Sequence, residues 1–359
     1  MSQYNMDFNE KTLEEEHEMS MEDKRFIEIM ERSTCKQNGH YCLDLPFNKD
    51  DIIMPNNRCI VEQRIQNLKR KFEKNKAYKE EYTAFVTDWI DKGYAEVVPH
   101  DQLEPKDGGV WYLPHHGVYH PKKRTLRVVF DCGASYKGTS LNHQLLQGPD
   151  LTNSLFGVLT RFREEKIALM TDIKAMFHQV KVSEKHVNFL RFLWWPSGDT
   201  SASLTEYRMT VHIFGAVSSP SCANYALRKT AADHAHSYNK QAIDTVYNNF
   251  YVDDCLKSVA TEQEAVKLVA HLIELCSTGG FQLLKWTSNS RAVLLSIPVE
   301  KRSKPTRELY LEQDSLPVEK ALGLSWSAEN DTFSFELALE GKPHTRRGIL
   351  SMVSSIYDP

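Results

Sequence analysis

The sequence predicts an α+β fold, a small antiparallel sheet backed by helices. Three observations carry that prediction: stretches of helical periodicity at 58–92 and after residue 261, short apolar runs punctuated by glycine and proline, and a tight Asp-Asp-Cys connection between two strand-like segments.

Residues 1–45 are acidic and weakly periodic, which predicts a tether with one short helix at 21–32. From 58 to 92 apolar Ile65, Leu68, Phe72, Phe85, Trp89 and Ile90 recur at helical spacing. Strands are predicted at 110–113, 117–120 and 126–130, then at 167–171, 187–195 and 207–211. A helix at 218–235 is entered through Ser-Ser-Pro, with proline where its missing N–H costs little. Segments 250–252 and 256–259 flank the acidic connection as a hairpin. Thr261 and Glu264 form a capping box, and the helix after them stops at Gly279-Gly280. Strands at 281–286 and 321–326 and an amphipathic helix at 346–357 complete the reading.

The chain has 359 residues and a net charge of −4. Residues 1–30 alone carry −6, leaving +2 for the remainder, whose bases cluster at 64–79, 122–127 and 342–347. Local basic patches, rather than the sum, govern attraction to a polyanion. No apolar run reaches the length of a membrane span, and no secretory signal precedes the acidic segment. The seven cysteines are scattered without a CxxC pair, which reads as reduced thiols in an intracellular protein. His115, His116 and His120 lack a further ligand at zinc spacing, so they read as exposed strand histidines.

Tyr251-Val-Asp253-Asp254 places two carboxylates at a hairpin tip, and Asp172 ends the apolar strand Ala168-Leu-Met-Thr. If the hairpin lies beside that strand, three carboxylates converge. Such a cluster needs cations, and hard oxygen donors suit Mg²⁺, two of which can serve an in-line displacement at phosphorus. The chemistry indicated is phosphoryl transfer; hydrolysis and polymerisation both fit this far.

Asp172-Ile-Lys-Ala-Met-Phe177, Phe214-Gly215-Ala-Val-Ser-Ser-Pro220 and Tyr251-Val-Asp-Asp254 resemble, in order, the three central palm motifs of reverse transcriptases. Arg127-Val-Val-Phe-Asp131 resembles the fingers segment upstream of them. Gln144-Leu-Leu-Gln-Gly-Pro-Asp-Leu-Thr-Asn153 and Leu190-Arg-Phe-Leu-Trp-Trp195 resemble the Pao/BEL branch of LTR retrotransposon Pol polyproteins. Ordered motifs together are far more specific than any one alone.

The resemblance covers roughly residues 40–359 and implies a right-hand polymerase. The implied organisation is an acidic tether at 1–45, fingers and fingers–palm entry at 46–165, palm at 166–335, and the start of a truncated thumb at 336–359. It implies metal ligation by Asp172, Asp253 and Asp254, with Mg²⁺ as the ion and Mn²⁺ as its substitute. Arg127 would meet the incoming dNTP triphosphate, with Lys122, Lys123 or Arg124 as a second phosphate contact. Phe177 would exclude a 2′-OH, and Gly215 would admit close backbone approach to nucleotide or template. Lys285 would protonate departing pyrophosphate, and Leu322-Gly323 matches the primer-grip hairpin. The implied partners are primer–template RNA or DNA and dNTP, without a membrane. The protease, RNase H and integrase of such a polyprotein lie outside this chain. The implied location is the cytoplasm, in a virus-like particle, or the nucleus. Two other readings stay open here: an inactive or domesticated retroelement remnant that binds nucleic acid, and a metal-dependent nuclease or phosphatase. The last leaves Phe177, Phe214-Gly215 and Lys285 unexplained.

Overall fold

The structure, a computed structural model, describes residues 19–104, 109–120, 124–311, 313–334 and 345–353. It is a mixed α+β fold of several small sheets. Helix α1 (Met21–Ser33) opens under Ser20, whose hydroxyl accepts from Asp23 N, and it buries Phe26, Ile29 and Met30. Strands β1 (Cys35–Gln37) and β2 (His40–Leu43) form a hairpin through Asn38-Gly39, both at positive φ. Residues 21–45 are therefore not the loose tether that acidic composition suggested; Phe26, Ile29, Met30, Tyr41, Leu43 and Leu45 are buried in the cores. Residues 1–18 lie outside the described residues.

The helical pattern at 58–92 divides into α2 (Arg58–Lys74) and α3 (Lys76–Asp91) at Asn75, whose side chain caps α3 by accepting from Tyr78 N. Next come β3 (Ala95–Val97), the hairpin β4 (His115–Tyr119) and β5 (Leu126–Phe130), then α4 (Leu141–Gln144) and α5 (Leu155–Phe162). The strand expected at 110–113 does not form. Trp111 N and Leu113 N donate instead to Asn188 O and Arg191 O, and Tyr112 makes a single bridge to Arg191. His115 is buried, not exposed: it bonds the Tyr82 hydroxyl and the Leu193 carbonyl, and burial lowers its pKa to about 4.

The central strand is β6 (Ile167–Ile173), buried on both faces except at Asp172. After it run β7 (Lys181–Val182), β8 (Arg191–Trp194) and β9 (Thr205–Met209). Residues 187–190, expected as part of a strand, form a 3₁₀ turn because Val187 N and Phe189 N close back on Ser183 O and His186 O. Strand β7 adds to β2 in parallel, fixing the N-terminal hairpin beside the segment that follows β6.

Helices α6 (Ser219–Asp233) and α7 (Lys240–Asn248) precede the hairpin β10 (Phe250–Tyr251) and β11 (Asp254–Val259). Helix α8 (Glu262–Thr278) is capped by Thr261, which accepts from Glu264 N. Strand β12 (Leu283–Ser288), α9 (Arg291–Ser296) and α10 (Lys304–Arg307) follow. The strands β13 (Val318–Ala321), β14 (Leu324–Ser327) and β15 (Thr332–Ser334) form a meander, and α11 (Arg346–Val353) is the last described element. No described helix is long and apolar enough to cross a membrane.

The sheet that positions the acids runs β10-β11-β6-β12, antiparallel throughout. Its period-2 alternation separates two cores. Leu169, Ile173, Cys255, Val259 and Leu283 face α1, α6 and α8, whereas Ala168, Met170 and Leu256 face α5 and the β13–β14 hairpin. Asp172 falls in the second register and sits where the cover of that face ends. A third core joins α2 and α3 to β4, β5, β8 and β9.

Candidate active site

The β10–β11 hairpin closes through Val252-Asp253, with Tyr251 paired to Asp254. Val252 has φ +55°, a costly conformation for a β-branched residue, held here by the sheet on either side. The turn is anchored to β6 by Ile173 N donating to Asp253 O at 2.8 Å. Asp254 stands directly opposite Asp172 across the β11–β6 ladder, so their side chains share a face. The pairing the sequence could only suppose is thus present, and it brings the three aspartates to one end of one sheet.

Their electrostatics follow from that crowding. Burial and the neighbouring Asp172 charge raise the pKa of Asp253, against the pull of Lys285 and Arg127. Burial, then the charges of Asp253 and Asp172, push Asp254 up to about 7. Lys285 Nζ donates to Asp172 Oδ2 at 2.8 Å. The lysine is aimed there by a bulge: Leu284 pairs with Asp172 but Thr287 with Met170, one extra residue on β12, and Lys285 takes φ +58°.

A cleft of about 490 Å³ opens beside these groups, lined by Asp172, Asp253, Lys285 and Arg127 together with Phe214 and the C-terminal turns of α3. Asp254 does not line it. A larger depression of about 890 Å³ between α3 and the 197–199 turn contains none of the three carboxylates. Phe177 is half-buried and packs its ring on Phe214 at 4.5 Å between centroids, so it borders the cleft through that residue. Gly215 has φ +103°, and a Cβ there would lie 2.6 Å from the Phe130 carbonyl oxygen. Its close backbone approach is thus to β5, the strand that carries Arg127. Asn142 ties the same loop, donating to Gly215 O at 2.9 Å and accepting from Val217 N at 3.1 Å. Lys122 and Lys123 lie outside the described residues.

Sequence reasoning missed part of the wall. Phe85, Asp88, Trp89, Lys92, Tyr94 and His178 also line the cleft. Phe85 and Trp89 were legible only as an apolar helix stripe, and nothing in their spacing says that the end of α3 reaches the acids. His178 is driven to a pKa of about 4 by burial, aided by the Lys92 charge, so it stands there as a neutral ring.

The donor set fits a hard divalent cation in kind: Asp172, Asp253 and Asp254 offer carboxylate oxygens at one end of the sheet. In arrangement it is not yet assembled. Among the described residues no three His, Cys, Asp or Glu side chains are gathered to hold an ion, and Asp172 is engaged by Lys285.

No family model matches the chain, and no curated protein matches it either. Among solved structures the chain is similar to a foamy viral protease–reverse transcriptase (dRH) in complex with double-stranded DNA, at 14% identity and a TM-score of 0.48, covering 74% of this chain and 38% of that one. It is also similar to the foamy viral protease–reverse transcriptase in complex with an RNA/DNA hybrid, at 14% identity and a TM-score of 0.47, covering 78% of this chain and 30% of that one. The chain therefore spans well under half the length of both neighbours.

Proposed function

We propose that this chain is the catalytic core of a reverse transcriptase, an RNA- or DNA-templated DNA polymerase of the Pao/BEL type of LTR retrotransposon. The observation that supports the reading is the β10-β11-β6-β12 pairing. It brings Asp172, Asp253 and Asp254, which lie in motifs of the right order, to one sheet end beside Arg127 and Lys285. In this reading residues 166–335 are the palm, 46–165 the fingers, and the β13–β14 hairpin at Leu322-Gly323 meets the primer.

Asp172 and Asp253, with Asp254 behind them, would hold two Mg²⁺ ions, or Mn²⁺ in their place. Bound there, the ions would supply charge neutralisation to the attacking and leaving oxygens. The chain's own groups do the rest. Arg127 offers a permanent, planar cation to triphosphate oxygens, with Lys122 or Lys123 as a second contact. Phe177, stiffened by Phe214, blocks the space a 2′-OH would need. The primer 3′-OH gives up its proton to solvent as its oxygen bonds to the α-phosphorus and the bond to pyrophosphate breaks, and Lys285 gives that leaving group its proton.

The test is primer extension on poly(rA)/oligo(dT) with the purified chain and Mg²⁺ or Mn²⁺, beside Asp253→Asn. The expected result is template-dependent extension that the variant lowers by at least about 10²-fold, the scale of losing a group needed only in the transition state. Nucleic-acid binding without extension would leave the remnant reading. Phosphate release without a template would leave the nuclease or phosphatase reading.

A further inference from the structure

We propose that Lys285 is a displaceable counter-cation of the acid cluster: its ammonium occupies Asp172 until a divalent ion takes its place. The inference rests on the reading of Asp172 and Asp253 as metal ligands. It goes beyond that reading by giving the lysine a role in the ion-free protein and making the ion compete with it.

The geometry carries the argument. In an unbulged β12, side chains would alternate, and Lys285 would follow Leu283 onto the helix-covered face. That face is apolar, and Leu283 and Trp286 are packed in its core. The extra residue between Leu284 and Thr287 lets Trp286 take the core position and leaves Lys285 on the side of Asp172. The backbone conformation this requires, φ +58°, is one that non-glycine residues rarely adopt. The contact obtained is a 2.8 Å ion pair to the less exposed of the two partners, Asp172 at 18% against 63% for Lys285. It engages one of the two sheet-end carboxylates that line the cleft. Since most of the lysine is in solvent, little holds it there apart from the pair, and it can swing out into solvent when Asp172 turns to an ion.

Mn²⁺ titration followed by the electron paramagnetic resonance of the free ion tests this on the whole chain without nucleic acid. The variants are Lys285→Met, Lys285→Arg and Asp253→Asn. Removing the competing charge should tighten the first Mn²⁺ in Lys285→Met by roughly tenfold, the size expected for one unit charge a few ångströms away at a half-exposed site. Lys285→Arg, which keeps the charge, should stay near wild type. Asp253→Asn should bind more weakly than either. In the chelator-treated protein Lys285→Met should melt lower than wild type, and saturating Mn²⁺ should close that gap. If Lys285→Met binds Mn²⁺ no tighter than wild type while Asp253→Asn still weakens it, the inference fails and the metal reading survives. If Asp253→Asn has no effect on Mn²⁺ binding, both fail together.

Discussion

Near neutral pH Asp254 sits at the midpoint of its own titration, because burial and its two acidic neighbours push its carboxyl up to about 7. An unfolded aspartate titrates near 3.9. Between those values the folded chain holds a proton that the unfolded chain has lost. Stability therefore falls as pH rises through the window from about 4 to about 7, and the loss persists above it. Asp254→Asn removes the titration. In chelator the variant should gain about 1–3 kcal/mol over wild type at pH 8 and close to nothing at pH 4, since the site is partly solvated and the full shift is not realised. Urea denaturation at the two pH values measures it. An equal gain at both would assign the effect to packing rather than to charge.

At the level of elements, the loop around Gly215 fixes how the β4–β5 hairpin meets the acid-bearing sheet. Gly215→Ala must both hold φ +103° with a side chain and displace the Phe130 carbonyl. The expected cost is about 2–4 kcal/mol, seen as a lower urea midpoint. Under the proposed polymerase function, affinity for dNTP should weaken too, because β5 carries Arg127. A variant as stable as wild type would show that the loop yields freely. Several elements were legible because local pattern and final environment agree. β6 reads as a continuous apolar run, α8 starts at its capping residue, and the β10–β11 turn lies between two apolar pieces. Others were not, for identifiable reasons. Helix α7 buries only Ala242, Thr245 and Val246, too few for a periodic signal. The 187–190 turn has the composition of a strand and is bent by backbone bonds to Ser183 and His186. The bulge at Lys285 exists only by reference to β6, so no reading of residues 281–288 alone could find it. In the site, the acids were visible as residue types in order, whereas the wall from α3 depends on packing between segments far apart in the chain.

Over the whole molecule, the N-terminal helix is part of the body that supports the site. Phe26 is fully buried, and its ring fills the space where a side chain on Gly148 would stand. Phe26→Ala should therefore cost about 3–5 kcal/mol in denaturant unfolding, the range for truncating a buried aromatic. A cost below about 1 kcal/mol would restore the tether description for residues 21–33. The order of the four-stranded sheet also has a consequence in time. β6 emerges first, yet its neighbours come from far downstream: Asp172 pairs with Asp254, 82 residues later, and with Leu284, 112 residues later. At roughly 5–20 residues per second of synthesis, the central strand waits on the order of 6–20 s for its second edge. Until β11 arrives, seven residues that end up almost wholly enclosed offer bare peptide groups on both sides to any other extended chain. A nascent chain stopped between β6 and β11 thus exposes both edges of this apolar strand, and a ribosome pause in that interval favours clumping over folding.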